Sequence, residues 1–120
     1  IVITGHDYLK GDNIKDLSNY KNTEHFIKAI KEIRKTNQVC CVVAGACQSN
    51  FEALIANGAD FASSPGRINI HVYDPAIIAV KVATTSFRQM VDMDSIYKYI
   101  ENGRKAFGGV QTMGKMKIIL

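Results

Sequence analysis

Two short apolar runs in this chain end alike. Ile1-Val2-Ile3 gives way to Thr4-Gly5-His6-Asp7, and Val39-Cys40-Cys41-Val42-Val43-Ala44 gives way to Gly45-Ala46-Cys47. Neither run alternates with polar residues. That is the pattern of strands covered on both faces of a parallel sheet, and it predicts buried strands over 1–4 and 39–44. Between them, Phe26, Ile27, Ile30 and Ile33 recur at helical spacing behind a cap at Asn22 or Thr23, so a helix is expected to about Thr36. Residues 5–21 are a polar loop, and Thr36-Asn37-Gln38 is a tight connection into the second strand.

Past Cys47, Ser49 followed by Glu52 reads as a capping box. A helix should therefore start immediately after Cys47 and run to Asn57, closed by Gly58. Asp60-Phe61-Ala62 is a third strand, ending in Ser63-Ser64-Pro65-Gly66, and residues 69–73 read as extended. Asp74-Pro75 opens a helix over 76–83. Residues 84–92 have no clear pattern, and Asp94 caps a helix holding Ile96, Tyr97 and Ile100. Gly108-Gly109 reads as a turn, and residues 115–120 as a last strand.

The order strand–helix–strand–helix–strand predicts an α/β fold, a mainly parallel sheet with helices on both faces and right-handed crossovers. Ligands in such sheets bind at the carboxyl ends of the strands. His6, Cys47, Ser63 and Ser64 all fall there.

With 120 residues, the chain is expected to form one compact domain over 1–120. Its first residue already lies in a strand-like run, so it reads as a fragment of a longer protein. The net charge of +4 is modest, and its lysines (Lys28, Lys31, Lys35) fall on a solvated helix face without interleaved aromatics. No nucleic-acid partner is expected. No apolar run is long enough to span a bilayer and nothing resembles a signal peptide, so no membrane partner is expected either.

The three cysteines are odd in number and lack Cys-x-x-Cys spacing, which fits a reducing compartment. Cys40 and Cys41 read as small core hydrophobes on opposite faces of one strand. No histidine–carboxylate cluster has metal-ligand spacing, and no Walker or Rossmann fingerprint is present. Neither a metal nor an organic cofactor is expected.

Cys47, between a strand end and a helix start, is expected to be a thiol nucleophile. Free N–H groups and the helix dipole there favour a thiolate. His6, at the tip of the neighbouring strand about 4.8 Å away, is its expected proton carrier. The backbone N–H groups of Asp7 and Cys47 are candidates for holding an oxyanion, with Gly5 and Gly45 leaving room for the substrate. His71 is the alternative base, and His25 reads as a surface residue. A tyrosine-phosphatase loop is excluded because Ala53 stands where its arginine would be. Two rivals stay open: another Cys-dependent amide hydrolase or transferase using His71, and a non-catalytic α/β interaction domain.

Several stretches together resemble the YabG family of sporulation-specific cysteine proteases. They are Val2-Ile3-Thr4-Gly5-His6-Asp7, Ala44-Gly45-Ala46-Cys47-Gln48-Ser49, Phe61-Ala62-Ser63-Ser64-Pro65 with Arg67, and Asn69-Ile70-His71 with Asp74-Pro75. More distantly, a His and then a Cys at successive strand ends is similar to the caspase–clostripain–legumain clan. The resemblance implies a caspase-like αβα sandwich with a His6–Cys47 dyad. Asp7 stands where that clan commonly has glycine. The family also has an additional N-terminal region, and the connections at 10–13 and 36–38 are short for it.

The resemblance further implies cleavage of spore-coat and spore-assembly proteins in the mother-cell cytoplasm or at the spore coat, with self-cleavage and a preference for a basic residue before the scissile bond. Asp74 and Asp60, then Asp7 or Asp12, are the carboxylates such a pocket could use. Ser63 and Ser64 could hydrogen-bond an extended substrate. The plainer readings are a helix cap for Asp74, a surface residue for Asp60 and turn residues for the serines. Oligomeric state is not legible.

Overall fold

The computed structural model describes residues 1–117. Three parallel strands, β1 (Val2–Ile3), β2 (Val43–Ala44) and β3 (Phe61–Ser63), lie side by side in chain order, and β4 (Phe107–Gly109) pairs antiparallel with β3. Helices α1 (Thr23–Thr36) and α2 (Phe51–Ala56) connect the parallel strands. Helices α3 (Asp74–Thr84) and α4 (Met93–Tyr97) lie between β3 and β4 in the chain.

Alternation along the strands sorts the core into two layers. Val42, Ala44 and Ala62 pack with Phe26, Ile27 and Ile30 of α1 and Leu54 of α2. Cys41, Val43 and Phe61 pack with Ile78 and Val82 of α3 and Ile96 of α4. The result is the αβα sandwich with a mainly parallel sheet that the pattern predicted. Cys40 and Cys41 take opposite sides of it, as expected.

The differences have local causes. β1 was expected to be buried but is an edge strand of the described sheet, with Val2 42% exposed. The second strand is shorter than its apolar run. Val39 is 76% exposed, because Asn37 Oδ1 accepts the N–H groups of Val39 and Cys40 and Arg34 Nη1 donates to the Cys40 carbonyl. Those side-chain bonds replace a strand ladder over 39–40.

Gly108-Gly109 is not a turn but part of β4. A Cβ on Gly109 would lie 2.3 Å from Phe61 Cδ1 and 2.6 Å from the Asp60 carbonyl oxygen, so glycine is there for close strand approach. Of the strand expected over 115–120, Met116 forms an isolated bridge to Ser86, and residues 118–120 lie outside the described residues.

Candidate active site

The β1–β2 ladder runs right up to the two chemical tips. Val43 N–H donates to Ile1 O and Gly45 N–H to Ile3 O, both at 2.9 Å. The chain therefore leaves the sheet side by side at Thr4 and Ala46. A cleft of about 350 Å³ opens at this edge, and its walls include His6, Cys47 and His71 together with Gly5, Ile70 and Pro75. A larger apolar groove of about 610 Å³ lies along α3 and α4 and contains neither cysteine nor histidine.

Cys47 sits in a sharply turned segment. Gly45 has φ +109° and Gln48 has φ +59°, both in the left-handed region. The peptide before the cysteine is held at both ends: Ala46 N–H donates to Ser49 Oγ (3.0 Å), while Ser63 Oγ (2.7 Å) and Ser64 Oγ (3.2 Å) donate to Ala46 O. The sulfur itself receives the Ile70 N–H at 3.3 Å and faces the Ile70 carbonyl at 3.6 Å.

The helix expected immediately after Cys47 begins later, at Phe51, with Asn50 as its cap. Ser49 is not the cap because its hydroxyl accepts Ala46 N–H and donates to Asp7, and Glu52 pairs with Arg67. The left-handed Gln48 also interrupts any helix there. The helix-dipole argument for the sulfur therefore gives way to a direct contact with the Ile70 peptide.

His6 is exposed. Its backbone carbonyl accepts Asn22 Nδ2 at 2.6 Å, and its imidazole has no hydrogen bond among the described residues, to Cys47 or otherwise. His71 is more committed. Tyr73 N–H donates to its Nδ1 at 3.2 Å, its ring stacks on Tyr73 at 5.2 Å, and the backbone N–H of His71 donates to Asp74 Oδ2 at 3.0 Å. The backbone N–H groups of Asp7 and Cys47 have no acceptor among the described residues.

The remaining predicted residues are placed as follows. Ser63 and Ser64 are fully buried behind the cleft, with their hydroxyls on Ala46 O and, for Ser64, also on Ile68 O at 2.7 Å. Asp74 is 3% exposed at the start of α3. Burial pushes its carboxyl above the usual range, nearby Glu101 adds to this, and the His71 N–H partly opposes it. Asp60 lies at the opposite, amino end of β3. It is paired with Arg34 at 2.9 Å and accepts the Val42 N–H, so it is neither a free surface residue nor near the cleft. Asp12 lies in the exposed part of the loop after His6. The Cys41 thiol is pushed up to about 11, first by burial and then by Asp60, which keeps it protonated at neutral pH. Among the described residues no three His, Cys, Asp or Glu side chains converge to hold a metal.

Two side chains that sequence reasoning passed over join the walls. Gln48 Oε1 accepts Leu9 N–H (3.1 Å) while its Nε2 donates to Asn69 Oδ1 (2.9 Å), linking the loop after His6 to the segment before His71. The Asp7 carboxylate, singled out only for its backbone and as a pocket carboxylate, is buried and accepts four hydrogen bonds. The one available signal was its position directly after His6, since nothing in the sequence names its distant partners.

The family described as YabG peptidase U57 matches residues 1–120. The sporulation-specific protease YabG of Bacillus subtilis strain 168 is 40% identical over 124 residues, covering 98% of this chain and 42% of that protein. The chain thus spans less than half the length of this curated relative. No solved structure matches. No helix among the described residues is long and apolar enough to cross a membrane. Matched by the family model over residues 1–120 and 40% identical to this relative over 98% of its own length, the chain belongs to the YabG peptidase family.

Proposed function

We propose that this chain forms the catalytic part of a sporulation protease that works as a cysteine endopeptidase through Cys47 and His6. One observation carries the reading: both residues line one cleft, at the ends of neighbouring parallel strands. His6 takes the Cys47 proton, and the sulfur attacks the carbonyl carbon of the scissile peptide. The oxyanion of the tetrahedral intermediate is held by the N–H groups of Cys47 and Asp7, a role that their lack of other acceptors supports. Collapse breaks the C–N bond, and the His6 imidazolium protonates the departing amine. Water, deprotonated by His6, then attacks the thioester, releasing the carboxylate and restoring the thiol.

His71 is less free to act as the base. A neutral imidazole has one lone-pair nitrogen, and Tyr73 N–H occupies that nitrogen in His71. We place the substrates among spore-coat and spore-assembly proteins in the mother cell, with cleavage after basic residues. Asp74 adjoins the cleft through His71 and Pro75 and has no salt-bridge partner among the described residues. A lysine or arginine side chain would supply that partner. Ser63 and Ser64 act from behind, by fixing the peptide that carries Cys47.

The test is cleavage of a coat-protein preparation, and of peptides differing only in the residue before the scissile bond. Cys47→Ala should abolish turnover, His6→Ala should lower it by about 10²–10⁴-fold, and His71→Ala should leave it within about tenfold. Activity retained by Cys47→Ala would overturn the nucleophile. An active His6→Ala beside a dead His71→Ala would transfer the base role to His71.

A further inference from the structure

We propose that the Asp7 carboxylate is a positioning residue that sets His6 against Cys47; this deepens the reading of the cleft as a His6–Cys47 protease site and rests on it. Asp7 is 6% exposed and takes part in none of the salt bridges among the described residues. Its charge is compensated by hydrogen bonds alone. Oδ1 accepts the N–H groups of Tyr8 (2.9 Å) and Asn22 (2.8 Å). Oδ2 accepts the hydroxyls of Thr23 and of Ser49, the latter at 2.7 Å.

These bonds form a directed chain. Asn50 N–H donates to Thr23 Oγ1 at 3.1 Å and Ala46 N–H donates to Ser49 Oγ at 3.0 Å, so each hydroxyl accepts a backbone proton and sends its own to Asp7. Asp7 is thus joined to His6 through the backbone, and its carboxylate lies one hydroxyl away from the N–H of Ala46, the residue before Cys47. Because the His6 ring has no hydrogen bond of its own among the described residues, its place relative to the sulfur is set through its backbone. That backbone is anchored by Asp7. A buried ionised group without a cation is costly to keep, and its partners tie together three segments: Tyr8 beside His6, Ser49 beside Cys47, and Asn22 and Thr23 at the start of α1, which also bonds the His6 carbonyl and the Asn50 N–H.

The donor pattern makes Asp7→Asn a sharp test. If the amide nitrogen faces Thr23 and Ser49, it meets two hydroxyls whose protons point at it. If it faces Tyr8 and Asn22, it meets two backbone N–H groups. Either orientation sets donors against donors. Ser49→Ala removes one of the four Asp7 hydrogen bonds together with the link to Ala46 and leaves the other three, and Thr23→Ser keeps every hydroxyl.

In the full chain, Asp7→Asn should lower kcat by about 100-fold, the cost of a misplacement near 1 Å, with KM changed by less than about threefold. Ser49→Ala should lower kcat in the same sense, and Thr23→Ser should match the unsubstituted protein. The pH profile of Cys47 alkylation by iodoacetamide should become that of His6→Ala in Asp7→Asn. Continued protection of buried Cys41 reports that the variant is folded. If Asp7→Asn exposes Cys41, Ser49→Ala decides. Unchanged kcat and an unchanged alkylation profile in the folded variants would overturn the proposal. If Cys47→Ala still cleaves protein, the reading of Cys47 as the nucleophile fails instead, and the alkylation profile alone then decides whether Asp7 sets the pair.

Discussion

Gly45→Ala should be severely destabilising, and the reason joins the fold to the site. At φ +109° an L side chain is strained wherever it stands, and here there is no room for one. A Cβ would lie 2.2 Å from Ser63 Oγ and 2.9 Å from Leu54 Cδ1. Ser63 cannot yield freely, because its hydroxyl donates to Ala46 O at 2.7 Å. Backbone strain, overpacking and loss of that hydrogen bond together amount to about 3–6 kcal/mol. That is comparable with the whole stability of a small domain, about 5–15 kcal/mol. The chain has no tryptophan, so the assay is urea unfolding followed by far-UV circular dichroism. A double-mutant cycle adds specificity: Ser63→Ala removes the closest clash, so the pair with Gly45→Ala should lose about 1–2 kcal/mol less than the two single losses combined. A Gly45→Ala loss below about 1 kcal/mol, or strict additivity with Ser63→Ala, would refute the packing argument.

Two further outcomes follow from buried titratable groups. With its thiol pushed up to about 11, Cys41 is only about 0.1% thiolate at pH 8, so iodoacetamide should modify Cys47 in the folded protein, spare Cys41, and reach all three cysteines in urea; equal rates at Cys41 and Cys47 in the folded state would contradict the burial described. Asp74 has a raised carboxyl pKa in the fold, so its ionised form costs stability at neutral pH and that cost is relieved as pH falls through the folded value. Asp74→Asn should therefore be more stable than the unsubstituted protein near pH 7, by a margin that shrinks toward pH 4, and urea midpoints showing the margin widening on acidification would sink the assignment.

The layer order and the edge at which chemistry gathers were legible because they depend on periodicity. Phe26, Ile27 and Ile30 at helical spacing, and the unbroken run 41–44, announce what packs on what. Polar side chains were misread where they act at long range. Ser49 looks like a helix cap in sequence, but Asp7, 42 residues away, takes its hydroxyl, and the helix moves on to Asn50. Gly108-Gly109 looks like a turn, yet the ring of Phe61 across the strand pair demands the missing Cβ. In each case local propensity competed with a tertiary partner that no window of sequence contains.

The same contrast explains how so small a scaffold can hold a site. β1 and β2 contribute two residues each to the ladder, and α2 is six residues long, so regular structure alone fixes little beyond the side-by-side exit of two chains. Orientation comes from hydroxyls. Ser49, Ser63 and Ser64 all bond the Ala46 peptide, and all three are fully buried. In a buried, low-dielectric setting each such bond is strong, and each partner left without one is costly. Among the described residues no buried side-chain polar atom lacks a partner. A fully satisfied set of this kind admits few alternative arrangements, so the Cys47 turn can hold Gln48 in the left-handed region. The sheet therefore brings the two tips to one cleft, and the hydroxyls around Ala46, rather than a helix dipole, aim the sulfur.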